Sequence, residues 1–439
     1  MGKKGNGEMK LNRYPKYKPT GIAWLPEVPE GWEVMRLSYL YDIQLGKMLD
    51  TKRITGKFLV PYLRNQDVQW GQVNVDNLPE MDIDPEERER FLVRRGDLLV
   101  CEGGEIGKSA IWENDFPCYI QKAIMRLRSR DDRIAQVNFM YFIMRCMTGL
   151  HVFDNATGKA TIAHLPAEKL SRQRIPLPPL PTQRAIVAFL DEKCGKIDRW
   201  VAAKEREMAL LKELKQAMIA EAVTGATHVA RTDTARKMKP SGIPWLPEVP
   251  EGWEVKKVRQ HFRLRSEKVS EQDYPPLSVA KVGVVPQLAD VAISMAQGET
   301  RKLVREGDYV VNSRSDRKGS CGIAPQDGSV TTISIVLEPR QIDRQFVHYL
   351  FRSTPWVEEF YRNGRGIVAD LWTTRYQEMR NMVFPLPPLA EQRAIVAYIE
   401  ARAAKIDAAV AGLEREVAAM KEYKQRLIAD VVTGQRKVA

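Results

Sequence analysis

"WLPEVPEGWEV" runs from Trp24 to Val34 and returns, letter for letter, from Trp245 to Val255. The match extends outward: "KPTGIAWLPEVPEGWEV" (Lys18–Val34) reappears as "KPSGIPWLPEVPEGWEV" (Lys239–Val255), 221 positions later. A second pair, "PLPPLPTQRAIVAFLDEKCGKID" (Pro176–Asp198) and "PLPPLAEQRAIVAYIEARAAKID" (Pro385–Asp407), stands 209 positions apart. Both runs close alike, with "AEAVTG" ending at Gly225 and "ADVVTG" at Gly434. The period is too long for a solenoid, so the chain is a duplicated two-part unit. The first repeat carries Pro-Glu-Gly turn chemistry and tryptophan anchors (Trp24 and Trp32, Trp245 and Trp253), but no catalytic group. It reads as a frame that leads into the first strand of each half, at the junction with the helices.

The sequence between the borders is 12 residues shorter in copy two and differs in content. Copy one has "PYLRNQDVQWGQV" and "RRGDLLVCEGGEIGKSAIW", where copy two has "PPLSVAKVGVVPQ" and "REGDYVVNSRSDRKGSCGIAP". A common frame around unlike contents suggests one scaffold presenting two reading surfaces. The interiors read as mixed α/β. "RRGDLLVC" and "REGDYVVN" look like a turn followed by a buried strand, and "AIMRLRS" and "ISIVLEP" like further strands. "VNFMYFIMRCM" and "RQFVHYLFRS" fit short amphipathic helices, with Phe139 and Arg145 corresponding to Phe346 and Arg352.

From Pro181 to Gly225 apolar residues recur at spacings of four and three: Leu190, Cys194, Ile197, Val201, Met208, Leu211, Met218 and Ala222, interrupted by Lys204 and Lys215. Copy two gives Ile399, Ala403, Ile406, Val410, Leu413, Val417, Met420, Leu427 and Val431, interrupted by Lys424. A seam of period 3.5 over about four heptads predicts a coiled coil. Gly225 and Gly434 are helix stops, and Pro178, Pro179 and Pro181, with Pro387 and Pro388, block backward extension. The two helices can pair antiparallel within the chain.

The length of 439 residues suits about two to four domains. A hydrophobic fraction of 44% supports packed cores, and a net charge of +12 points to a polyanionic partner such as nucleic acid. The five cysteines form no C-x-x-C pair, and the five histidines are scattered. That argues against a disulfide framework or zinc site and predicts no metal. No apolar run reaches the roughly 18 residues of a membrane span, and the basic N-terminus has no apolar core behind it. Cytoplasmic location, with no membrane partner, is the expectation.

"EGGEIGKS" (Glu102–Ser109) is a near miss for a phosphate-binding loop: Glu102 stands where Gly belongs, and "AIWEND" does not open a helix. A glycine turn that lets the backbone approach a ligand fits better, with Gly103, Gly104 and Lys108 as DNA contacts. "DYPPL" (Asp273–Leu277) departs from the methyltransferase D/N-P-P-Y/F motif, and no carboxylate pair with Glu-x-Lys marks a nuclease. Basic side chains among small residues suit phosphate and base contacts. Ser313, Arg314, Arg317 and Lys318 in "NSRSDRKGS" fit this pattern, as do Lys159 and Thr161 in "NATGKATIAHL" and Arg365 in "NGRGIVADL". Arg64, Asn65 and Lys281 complete the candidate DNA contacts.

Taken together, these features resemble the specificity subunit of type I restriction-modification systems, from Lys18 to Gly434. The resemblance is carried by "GIAWLPEVPEGWEV" and "GIPWLPEVPEGWEV", and by "IPLPPLPTQRAIVAFLD" and "FPLPPLAEQRAIVAYIE" running through "KID" to "TG". It implies an α+β fold: two globular mixed α/β target recognition domains separated by two long antiparallel coiled-coil helices, in a pseudo-two-fold repeat. The segments would be a basic N-terminal extension (1–17), recognition domain 1 (18–180), helix 1 (181–225), a linker (226–238), recognition domain 2 (239–389), helix 2 (390–434) and a tail (435–439). Each domain would read half of a split DNA site, and the helices would set the gap and dock two methyltransferase subunits. The chain would be non-catalytic and hold no cofactor, with S-adenosylmethionine in the methyltransferase subunits and DNA cleavage in restriction subunits. The alternative is a stand-alone enzyme that modifies or cuts DNA.

Overall fold

The computed structural model describes residues 12–49, 55–153, 164–229, 236–287, 301–366 and 372–438. The chain divides into two compact units: Met1–Lys204 with Arg415–Ala439, and Glu205–Glu414. Each unit therefore combines most of one copy with a helical segment of the other.

The first unit is built on an antiparallel sheet in the order Ser109–Ile111, Leu98–Cys101, Ile124–Ser129, Tyr41–Leu45. The second unit repeats it with Cys321–Ile323, Tyr309–Val311, Ile335–Pro339 and Phe262–Arg265. The strands beginning at Leu98 and Tyr309 follow the same Gly-Asp turn, with Gly96 at φ 90° and Gly307 at φ 84°. Asp97 and Asp308 are buried. Each caps its turn, accepting the Arg94 N–H at 2.6 Å or the Arg305 N–H at 2.8 Å. A buried carboxylate needs a partner, and here the copies diverge. Arg128, on the neighbouring 124–129 strand, holds Asp97 at 2.7 Å through both guanidinium contacts. In copy two Arg265, from the 262–265 strand, holds Asp308 at 2.6 and 3.1 Å.

The two long helices span Leu180–Thr224 and Leu389–Val432. Both stop where Gly225 and Gly434 take φ of 82° and 77°, which only glycine adopts freely. In the first unit the Asp198 carboxylate accepts from the Lys424 ammonium at 2.5 and 2.6 Å, and the Arg436 guanidinium lies over the Phe189 ring. In the second unit Lys215 reaches Asp407 at 2.8 and 2.7 Å, and Lys212 lies 3.6 Å from Glu414. Within each unit, then, the two helical segments run antiparallel. The lysines that interrupt the apolar seam thus meet the aspartate of "KID" on the other helix. Lys424 buries its stem in the seam while Asp198 stays at its rim. Lys204 instead lies over the Trp200 ring.

Leu190, Cys194, Ile197, Val201, Ile399, Ala403, Val410, Leu413, Val417 and Leu427 are buried, whereas Met208, Leu211, Met218, Ile406 and Met420 are half-buried. Ile186, Ile219, Ile395 and Ile428, outside the predicted seam, are buried as well.

The duplicated frame grips both helices. Its strand Glu33–Arg36 pairs with Arg174–Leu177, which leads into the first helix, and Glu254–Lys257 pairs likewise with Val383–Leu386. Its turn receives the end of the other copy's helix. A Cβ on Gly434 would lie 2.5 Å from Pro29 Cδ and 3.3 Å from the Trp32 ring. On Gly225 it would lie 2.5 Å from Pro250 Cδ and 3.1 Å from the Trp253 ring. In the first unit the Tyr17 hydroxyl donates to the Gly434 carbonyl at 2.8 Å. Buried Gln183 and Gln392 latch each helix start. Gln183 donates to the Ile134 and Pro178 carbonyls and accepts the Gln136 N–H. Gln392 donates to the Pro387 carbonyl and accepts the Asp343 N–H.

Candidate nucleic-acid interface

In each unit the loop after the central strand is joined to a second loop far along the chain. In the first, Gly103 bridges His164, and the Leu165 N–H donates to the Glu102 carbonyl at 2.8 Å. In the second, Arg314 bridges Thr373, and the Thr374 N–H donates to the Ser313 carbonyl at 3.0 Å. Thr373 also bridges Arg365, bringing the two basic loops of copy two together. The backbone joint is common to both units, but its side chains are not. The first places buried Glu102 3.0 Å from His164 Nε2. At the same place the second has Ser313, whose hydroxyl donates to the Ile333 carbonyl at 2.6 Å.

The candidate contacts fall into three groups. Arg314, Arg317, Lys318 and Arg365 are exposed on the second joint, and Lys281 is exposed on a neighbouring hairpin. Arg314 pairs with Asp316 at 2.9 Å, with Arg317 3.7 Å from the same carboxylate. Lys318 pairs with Glu358 at 2.7 Å, and Arg365 lies 3.8 Å from Glu378. Asp316 and Glu358 are exposed, so a phosphate could compete for Arg314, Arg317 and Lys318. In the first unit Asn65 is brought to the glycine turn, donating to the Gly103 carbonyl at 2.9 Å. Its amide nitrogen is also 3.1 Å from where a Gly104 Cβ would sit. Arg64 is held by buried Asp67 at 2.8 and 2.9 Å, which raises the guanidinium pKa further.

Two expected contacts lie inside. Lys108 is 9% exposed, its ammonium 3.4 Å from the Gln69 amide oxygen, and Ser313 is 1% exposed. Each is turned inward to a partner outside its own loop, Lys108 to Gln69 and Ser313 to Ile333. Lys159 and Thr161 fall outside the described residues. Residues 109–111 form a strand, so the loop before them opens no helix N-terminus for a nucleotide phosphate.

Sequence reasoning noted Glu102 only as a departure from the phosphate-loop pattern, and did not single out His164, Thr373 or Trp372 as contacts. His164 and Thr373 lie beside their joints only through long-range pairing. Trp372 is exposed, and its carbonyl accepts the Ser315 N–H at 2.9 Å.

All five cysteines are buried. Burial raises the Cys101 and Cys321 thiols to about 11, leaving them protonated at neutral pH. Among the described residues, no cluster of His, Cys, Asp and Glu could hold a metal ion, and no helix is long and apolar enough to cross a membrane.

The model of the type I restriction modification DNA specificity domain matches residues 29–198. A Methanocaldococcus jannaschii chain assigned as the MjaX specificity subunit of a type I restriction enzyme is 24% identical, over 96% of this chain and 97% of its own. Over nearly its whole length this chain is similar to type I restriction enzyme specificity subunits. The EcoBI specificity subunit of Escherichia coli is 23% identical, over 94% of this chain and 88% of its own. A structure solved to explain complex assembly and conformational transition of the type I restriction-modification system shares the fold: TM-score 0.68, 17% identity, covering 94% of this chain and 99% of that chain.

Proposed function

We propose that this chain is the specificity subunit of a type I restriction-modification system, reading a split DNA sequence, one half per recognition domain, without catalysing a reaction itself. The carrying observation is the pair of joints: one backbone arrangement made twice, with Glu102 and His164 in the first and Arg314, Arg365 and Thr373 in the second. Equal scaffolds with unlike side chains suit two unlike half-sites. Methyl transfer and cleavage belong, on this reading, to methyltransferase subunits holding S-adenosylmethionine and to restriction subunits. Footprinting with the methyltransferase partner tests the reading. Two protected blocks with an unread gap are expected, and one continuous block or none would overturn it. Binding should weaken steeply with salt.

Arg314→Ala with Arg365→Ala should weaken recognition of one half-site about tenfold or more, and leave the other unchanged. Selection of preferred sequences from a random library by the variant measures this. Equal loss at both halves would count against one domain per half-site.

The long helices also offer docking positions. Leu210 and Leu214 are large, apolar and exposed, and Tyr423, 209 positions after Leu214, is exposed too. Leu214→Glu and Tyr423→Glu should each reduce co-purification of methyltransferase subunits without loss of helix content by circular dichroism. Full retention of the partner in both variants would exclude these positions as docking sites.

A further inference from the structure

Beside each joint stands a hairpin. In the first unit Val68–Gln69 pairs with Gln72–Val73 around a tip of Trp70 and Gly71. In the second, Leu277–Ala280 pairs with Gly283–Pro286 around Lys281 and Val282. The corresponding arginines Arg145 and Arg352 hold the two tips. The Arg145 guanidinium lies 5.5 Å over the Trp70 ring, and Arg352 donates to the Lys281 carbonyl. The Trp70 tip is folded back, its indole N–H donating to Glu105 at 2.5 Å. The other tip is not: Val282 is 79% exposed.

We propose that Val282 is a base-reading residue of the second recognition domain, meeting the C5-methyl group of a thymine in the major groove. The proposal rests on the reading of this chain as a DNA specificity subunit, and adds a residue and a chemical group to it. A lone exposed valine is ordinary on a surface, but at a two-residue hairpin tip it is out of place. Such tips favour Gly, Asn, Asp and Ser, whose backbones or side chains serve the turn. A stiff β-branched residue contributes nothing there. The turn's geometric demand falls instead on Gly283, at φ 126°. Local rules broken without structural gain mark functional positions.

The surroundings place the tip near the basic loop of the second joint. The hairpin cannot settle further onto the sheet, because a Cβ on Gly322 would already stand 3.0 Å from Gly283 Cα. Arg352 also donates to the Cys321 carbonyl at 3.4 Å, where the basic loop of the second joint ends. The valine thus adjoins the loop that carries Arg314 and Arg317, with Lys281 next to it in the chain. Such cations meet phosphates or, for an arginine, the polar edge of a guanine. Valine neither donates nor accepts a hydrogen bond. Among base edges in the major groove only the thymine methyl offers it an apolar partner.

Val282→Asn in the full chain, assembled with its methyltransferase partner, tests this. Asparagine suits the turn, so thermal melting should be unchanged or slightly higher. Affinity for the target should fall about fourfold, the worth of one buried methyl-sized group, with random-sequence affinity unchanged. Replacing each target thymine in turn by deoxyuridine should cost the parent protein a similar factor at one position of the second domain's half-site. The same replacement should cost the variant nothing. The proposal is overturned if the variant binds target as the parent does, or if no thymine position separates them. It is equally overturned if the variant loses its partner subunits instead of target affinity. If the parent itself shows no sequence preference, the DNA-specificity reading fails and the proposal falls with it.

Discussion

Trp253→Ala is expected to lower the stability of the second unit by about 3–5 kcal/mol, the range for emptying a fully buried tryptophan site, while leaving the recognised sequence unchanged. Trp253 is fully buried and belongs to a core that includes Ile219, Ala222 and Val223 of the first helix and Ile395 and Ile399 of the second. Its ring closes on Gly225, and the Arg236 guanidinium stacks over it at 5.2 Å. Removing it opens a cavity and unseats the helix end together. Urea unfolding measures the loss, and sequence selection measures the preference. Trp32→Ala, with its ring against Gly434 and edge-on to Tyr14 at 5.7 Å, should behave alike in the first unit. Unchanged unfolding with altered preference in either variant would mean that the frame takes part in reading.

The second large effect concerns spacing. Seven residues inserted into each long helix, after Lys204 in the first and before Arg415 in the second, keep the 3.5-residue seam in phase. They leave both lysine–aspartate pairs on their own sides of the insertion. At 1.5 Å per residue the helices lengthen by about 10 Å, about three base pairs of DNA at 3.4 Å each. The gap between half-sites should grow by that amount with both half-site sequences retained. Sequencing the methylated sites in a host carrying the variant reads both quantities. Altered half-sites across an unaltered gap would refute a ruler made of these helices.

The helices and the frame were legible in the sequence because their signals are local or duplicated. An apolar period, a proline start, a glycine stop and two identical borders need no knowledge of the third dimension. The partners of Lys215 and Lys424 lie 192 and 226 residues away, so one helix read alone shows only a broken seam. Asp97 and Asp308 announce the same turn. Nothing local says that one takes its arginine from the 124–129 strand and the other from the 262–265 strand. The candidate interface was legible as loops rather than as residues. Its exposed arginines followed from chemistry, but burial of Lys108 and Ser313 depends on what Gln69 and Ile333 offer them across the fold.

Each compact unit borrows helix from the other copy, and that borrowing has an order in time. A chain emerging from the ribosome completes residues 205–414 before residue 415 exists. The second unit can therefore close first, although synthesis began with the other. The first unit waits for the segment after residue 414, whose Gly434 must find Pro29 and Trp32, about 400 residues earlier in the sequence. Until then the earlier-made part of that unit presents an unfilled seat, and the segment that begins at Arg415 is the one that shuts it.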